Sequence, residues 1–395
     1  MSLHAVTAAA AASAPMSHIA AVAAAHAFAG ALRAQFVERD REVASLLRAV
    51  VAQEHVLLLG PPGTAKSALT LAFAEGLGWT SFVRLMGKTT VPEELFGPYS
   101  LTALEQDRFE RQIGGYLPTS QVAFLDEVFK ANSAVLNGLL TALNERSFDQ
   151  GTTRIQIPLE VCVGASNEMP QDDGLAALYD RFLIRHWVAY VRDDAAFERM
   201  LLGTAPAAPA RLDPEAVRVL RDVARAVDVG PVLGPIVKIR AELSEKHAIV
   251  VSDRRWRKAL GVVRATAALS GRTTARGTDL DCLVDVLWDR TEQIDPIRAV
   301  VMRHRNPDLL IAQRLLGVAE GVMVDLRKSD SDLGKLDLAG VARATNAIAQ
   351  IRNILGEAAS LSTDDPEIAE VIGKIRTCGL TLQSAVRAAQ GRFSI

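Results

Sequence analysis

The stretch from Val56 to Ser67 constrains this chain more than any other. Val56-Leu57-Leu58-Leu59 is a short unbroken apolar run, the pattern of a strand buried on both faces. It ends abruptly in Gly60-Pro61-Pro62-Gly63-Thr64-Ala65-Lys66-Ser67, and Ser67 to Gly76 then has helical composition. A strand running through a glycine-rich loop into a helix turns several backbone N–H groups toward the inside of one bend, at the positive end of a helix dipole. Such a bend suits phosphate oxygens. Gly60, Pro61, Gly63, Thr64, Ala65, Lys66, Ser67 and Ala68 are therefore the expected phosphate contacts, with Lys66 reaching toward the β- and γ-phosphates and the Ser67 hydroxyl placed for Mg²⁺. One residue departs from the usual pattern. Gly normally precedes the lysine, and here Ala65 stands there.

The same strand signature returns twice. Val122-Ala123-Phe124-Leu125 delivers Asp126 and Glu127 at its carboxyl end, the end at which open α/β sheets bind ligands. Asp126 is expected to hold Mg²⁺ through its water shell, and Glu127 to orient and polarise an attacking water. The run from Leu159 to Gly164 leads into Ala165-Ser166-Asn167, and a neutral amide at Asn167 can bond the water or the γ-phosphate without competing for the metal. Three buried strands interleaved with helices predict an α/β fold with a parallel sheet covered on both faces. Two hairpins are expected between them, from Tyr99 to Pro118 turning near Gln106-Asp107, and from Arg146 to Pro158 turning near Gln150-Gly151.

Around this core the chain divides by composition. Of the first 34 residues 16 are Ala and only Arg33 is charged, so residues 1–30 read as an Ala-rich disordered tail. Ala31 to Gln53 reads as one amphipathic helix. A small-residue and proline linker, Gly203 to Ala210, separates an α/β part over 31–204 from a helical part over 210–300. That part opens with Asp213 as N-cap and Pro214 as first helical residue, and Ala248-Ile249-Val250-Val251 is its one strand-like stretch. From 306 to 395 two apolar stripes, one through Val341, Ala344, Ile348, Ile351 and Leu355, the other after a start at Asp365-Pro366, predict a helical bundle.

Composition narrows the function classes. With 44 Lys+Arg against 46 Asp+Glu the chain has no overall field for a polyanion or an anionic membrane, and no apolar run is long enough to span a bilayer. Three scattered cysteines, Cys162, Cys282 and Cys378, match neither a disulfide framework nor a zinc site, which points to reduced thiols in the cytoplasm.

Two arginine sites remain. Arg181, in Asp180-Arg181-Phe182, could supply positive charge to a neighbouring subunit's γ-phosphate, with Arg185 as the nearby alternative. In Ser252-Asp253-Arg254-Arg255-Trp256-Arg257-Lys258, an arginine could reach down to the nucleotide.

Taken in order, these features resemble an AAA+ ATPase. VPEELFGPYSLTAL, GGYLP, FLDEVFKANSAVLNGLLTALNERSF, GASNEMP and ALYDRFLIRHW look like the MoxR family, in its RavA branch, whose members also tend to carry Ala at the position of Ala65. The resemblance covers about residues 35–300. It implies an AAA+ P-loop core with hairpin insertions, a helical lid and hexameric rings with ATP between subunits. Lys66 and Ser67 would fill the Walker A roles, Asp126 and Glu127 the Walker B roles, Asn167 sensor 1, Arg181 the arginine finger and Arg254 sensor 2. Arg254 is preferred to Arg255 because it follows Ser252 by two residues, as the family's sensor arginine follows its serine. MoxR proteins commonly remodel or activate partners, often ones with a von Willebrand factor A (vWA) domain. The RavA branch also carries a β-rich module inside its helical tail, for which residues 306–395 leave little room, so the decarboxylase docked by that module is not carried over.

The leading expectation is thus an ATP-hydrolysing ring that remodels a protein partner. A nucleotide-dependent scaffold or switch is the alternative. A nucleic-acid motor is less favoured, because Arg108 and Arg111 are matched by Glu105, Asp107 and Glu110.

Overall fold

The structure is a computed structural model, and it describes residues 16–170, 173–203, 211–330, 336–361 and 366–393. The first half of the expected tail, the 204–210 part of the linker and Asp365 lie outside the described residues. The chain forms two compact units, residues 1–301 and 302–395.

The first unit opens with α1 (His18–Gln35), so the expectation of a tail through residue 30 is corrected. Alanine is the best helix former, and here Ala21, Ala25, Phe28, Ala29 and Leu32 form a buried stripe. His18 and His26 fasten the outer side, each with Nε2 in a hydrogen bond to a carbonyl, Ala268 at 2.8 Å and Leu269 at 2.9 Å. The single helix expected over 31–53 is also corrected. The chain breaks after Gln35 and resumes as α2 (Asp40–Ala52), because Glu38 adopts a left-handed φ of 54° and spends its carboxylate on the backbone N–H groups of Arg192 and Asp193.

β1 (Val56–Leu59), α3 (Lys66–Leu77), β2 (Ser81–Leu85), α4 (Pro92–Phe96), α5 (Leu101–Leu104), β3 (Val122–Asp126), α6 (Ser133–Glu145), β4 (Ser147–Gln150), β5 (Thr153–Gln156), β6 (Val161–Ser166), α7 (Ala176–Tyr179) and β7 (Ile184–Trp187) complete the α/β part. Five strands form one parallel sheet in the order β2-β3-β6-β1-β7. All residues of β1 and β6 are buried. Successive side chains face opposite sides of a sheet, so both faces are covered, as expected. The edge strands β2 and β7 escape the sequence pattern because β2 exposes alternate residues and β7, Ile-Arg-His-Trp, has no apolar run.

The hairpin expected at 146–158 is present as antiparallel β4 and β5, turning at Gly151 in a left-handed φ of 62°. The one expected at 99–118 is not. Only Tyr99 and Arg111 bridge, and the intervening segment winds into α5, whose N-cap Ser100 accepts the Ala103 N–H.

After α8 (Asp194–Leu202), which precedes the linker, the helical part comprises α9 (Pro214–Ala226), α10 (Gly230–His247), α11 (Asp253–Leu269) and α12 (Ile294–Arg305). Asp213 caps α9 by accepting the Glu215 N–H, with Pro214 first in the helix, and α9 packs on α1, α2 and α11. Ala248 to Val251 forms no strand, since Ala248 caps α10 in the left-handed region and ends its run of hydrogen bonds.

The second unit is a bundle of α13 (Pro307–Ser329), α14 (Leu338–Ala358) and α15 (Pro366–Phe393), each packed on the other two. Its core includes Leu315, Ile351, Ile375 and Leu382, so the tail's stripes are satisfied within the chain. No described helix is long and apolar enough to cross a membrane, and the three cysteines are unpaired.

Candidate functional site

Sheet order assembles the site. Because β3, β6 and β1 are neighbours, their carboxyl ends bring Asp126 and Glu127, Asn167, and the Gly60 loop side by side. Gly60 donates its N–H to Ser166 O at 3.1 Å. Gly60 has a φ of 136°, and a Cβ there would lie 2.2 Å from the Val188 carbonyl oxygen, so only glycine permits this approach. Ala65 takes the left-handed conformation, φ 64°, at the N-cap of α3, a geometry that disfavours any L side chain.

Lys66 is buried and turned back on its own loop, donating to Gly60 O at 2.7 Å and Pro61 O at 2.9 Å. Burial lowers its pKa, against the raising influence of the Asp126 and Glu127 charges. Asn167 links both sides. Its Oδ1 lies 3.4 Å from Lys66 Nζ, and its Nδ2 donates to Glu127 Oε1 at 2.6 Å. Glu127 has a left-handed φ of 52°, its N–H bonds Asp126 Oδ1, and its Oε2 lies 3.4 Å from Lys130 Nζ. A carboxylate, an amide and an ammonium thus converge at the mouth of a backbone cradle. The Ser67 hydroxyl and the Asp126 carboxylate are hard oxygen donors, and such a sparse pair fits Mg²⁺, which keeps several of its own waters.

Three contributors had no signal in the sequence. Arg39 is buried, and its Nε donates to Thr64 O at 3.1 Å while Nη2 donates to Ala189 O at 2.9 Å, tying the loop to the segment after β7. Beside the loop at Gly63 to Ala65, a cavity of about 340 Å³ is lined by Phe36, Val37, Tyr190, Val191, Phe197 and Met200. Lys130 is the third. Their partners are distant in sequence or present ordinary residue types, so only folding reveals them.

The arginines lie elsewhere. Ile184 pairs with Val56, so Arg181 sits at the amino edge of the sheet, whereas Lys66 follows its carboxyl edge; β1 alone separates the two by about 13 Å. Arg254 is on Arg181's side, donating to Asn144 Oδ1 at 2.8 Å and lying 3.8 Å from Asp180. Arg254 therefore does not reach the Gly60 loop of its own chain. Arg255 is buried against Asp180 and Asp289. Arg185, the alternative to Arg181, is fully buried and bonded to Phe182 O, Tyr179 O and Trp288 O, so it cannot reach another subunit.

Comparison with known proteins agrees with this fold. Residues 24–217 match the family model described as the MoxR domain in the MoxR-vWA-beta-propeller ternary systems, and residues 231–301 match that of an AAA lid domain. An uncharacterized protein of Methanocaldococcus jannaschii is 36% identical over 307 residues, covering 77% of this chain and 82% of the relative. The chaperone MoxR1 of Mycobacterium tuberculosis is 27% identical over 158 residues, 39% of this chain and 41% of that protein. A crystal structure from Cytophaga hutchinsonii, provisionally assigned as an ATPase, shares the fold with a TM-score of 0.59 at 17% identity, over 73% of this chain and 96% of that one.

Proposed function

The chain belongs to the MoxR family of AAA+ ATPases, and from that premise we propose that it is a Mg²⁺-dependent ATP hydrolase that works as a ring, a homo-hexamer in the family manner, on a protein partner.

 The observation that carries this reading is the Lys66–Asn167–Glu127 chain at the carboxyl edge of the sheet, with contacts of 3.4 and 2.6 Å. ATP phosphates enter the loop from Gly60 to Ala68, Lys66 leaves its own carbonyls for the β- and γ-phosphates, and the base occupies the cavity lined by Phe36 and Tyr190. Ser67 and Asp126 would hold Mg²⁺, which would neutralise phosphate charge. Glu127 takes a proton from the attacking water as the water oxygen bonds the γ-phosphorus, the bond between the γ-phosphorus and its bridging oxygen breaks, and ADP and phosphate leave after Glu127 passes the proton to the phosphate. Asn167 holds the water against the γ-phosphate.

The position of Arg181 and Arg254, remote from the chain's own loop, supports a site completed by a neighbouring subunit, with Arg181 as finger and Arg254 as sensor. The motif likeness to the RavA branch belongs to this reading for residues 35–300 alone. The matched model's description favours a vWA-domain protein as the partner, and the three unpaired thiols favour the cytoplasm. A nucleic-acid motor is disfavoured because Arg108 pairs with Glu110 and Arg111 with Glu93.

The test is mass photometry of Glu127→Gln with and without Mg-ATP, followed by partner capture on the trapped species. A shift from one chain to about six supports the ring. A species that stays monomeric with ATP bound overturns it and leaves the nucleotide switch. The separate bundle at 302–395 is the observation favouring that second reading, which requires that deleting residues 306–395 abolish partner capture and spare ATP binding.

A further inference from the structure

Asp180 sits among three guanidinium groups. Its carboxylate accepts a hydrogen bond from Arg255 Nη2 at 3.0 Å, while Arg181 Nη1 and Arg254 Nη1 lie 3.7 and 3.8 Å from its other oxygen. The first contact is a bond, and the other two are too long to be one. Asp180 therefore attracts Arg181 and Arg254 without pinning them. Arg255 continues the chain, donating to Asp289 Oδ1 at 2.6 Å, and the same oxygen accepts Arg185 Nη1 at 2.8 Å. Arg185 in turn stacks on the Tyr179 ring at 3.8 Å.

The charges in this network do not balance. Four arginines, 181, 185, 254 and 255, face two aspartates, 180 and 289, and the Nε atoms of Arg181 and Arg255 are buried without a hydrogen-bond partner. Burial and the neighbouring Arg254 lower the Arg181 pKa, with Asp180 opposing. Arg185, Arg255 and most of Arg181 are held out of water while Arg254 is exposed, and buried excess cation is costly until an anion arrives. Neither Arg181 nor Arg254 is hydrogen-bonded to an aspartate, and Arg254 bonds only the neutral Asn144 amide, so they are the two an incoming phosphate can take.

We infer that Asp180 is a positioning residue that aims Arg181 and Arg254 at the neighbouring subunit's γ-phosphate and, once they are taken, gives its charge wholly to Arg255. Through Arg255 and Asp289 the lid feels whether the neighbouring site is filled. This rests on the reading of Arg181 as a finger acting between subunits.

A double-mutant cycle on the full chain tests it, read as single-turnover hydrolysis rates and half-saturating ATP concentrations. Asp180→Asn is expected to lower the rate about ten- to a hundredfold, as a misaimed group does, with half-saturation within about threefold because the chain's own loop lies at the far edge of the sheet. Asp180→Glu, which keeps the charge, is expected to recover most of the rate. In an Arg181→Ala/Arg254→Ala background, Asp180→Asn is expected to change the rate by less than about twofold, since both groups it aims are gone. A full further loss in that background means that the carboxylate only braces the fold, and it overturns the inference. An unchanged rate for Arg181→Ala alone overturns the finger reading instead. Should Asp180→Asn not fold, Asp289→Asn runs the same cycle one link along, with the same two outcomes.

Discussion

Asn167 donates to Glu127 Oε1 at 2.6 Å while its own Oδ1 stands 3.4 Å from Lys66 Nζ. One neutral amide therefore joins the phosphate-loop lysine to the carboxylate proposed as base. Asn167→Ala is expected to lower kcat about 10²-fold, the scale of losing one donor to a developing charge, with KM changed far less. Steady-state phosphate release checks this, and an unchanged kcat removes Asn167 from the chemistry.

Glu127→Gln keeps the shape of the side chain and its contact with Asn167 while removing the proton acceptor. Turnover is expected to fall about 10²- to 10⁴-fold, the range of general-base catalysis, with ATP still retained after gel filtration. Lys66→Ala is expected to lose ATP retention itself. Measurable turnover in Lys66→Ala would sink the assignment of the phosphate loop.

Ala65 holds a left-handed conformation at the N-cap of α3. Ala65→Gly removes that steric cost and is expected to stabilise the chain by about 0.5–1 kcal/mol, after the greater entropy of glycine in the unfolded chain is offset. Urea unfolding reads the difference, and a destabilised variant contradicts it.

His55 is fully buried, with Nε2 donating to Leu143 O at 2.9 Å and Nδ1 accepting the Cys162 N–H at 3.0 Å. Burial holds its pKa down to about 3 from an ordinary 6.5. Below the ordinary value the unfolded chain takes up a proton that the folded chain refuses, so stability is present above about pH 6.5 and is lost as pH falls toward 3. The expected slope approaches about 1.4 kcal/mol per pH unit. Urea midpoints between about pH 7 and pH 4 measure it, and His55→Gln is expected to flatten the dependence.

The sequence by itself determined the residues whose meaning is local. A strand, a glycine loop and a helix follow one another in the chain, and Asp126, Glu127 and Asn167 each stand at the end of an apolar run, so the loop and both strand ends were legible, as was the parallel sheet they imply. Legible too were the cap of α9 and the turn at Gly151. The edge strands were not, because β2 exposes alternate residues and β7 buries Arg185 and His186 where an apolar run would be expected. The break between α1 and α2 was hidden because it is enforced by Arg192 and Asp193, more than 150 residues away. The tertiary structure alone decided which end of the sheet each arginine occupies, since that follows from β7 lying beside β1. It also decided that Arg185 is spent on core carbonyls while Arg181 is not. Motif spacing records neighbours along the chain, and charge acts between neighbours in space.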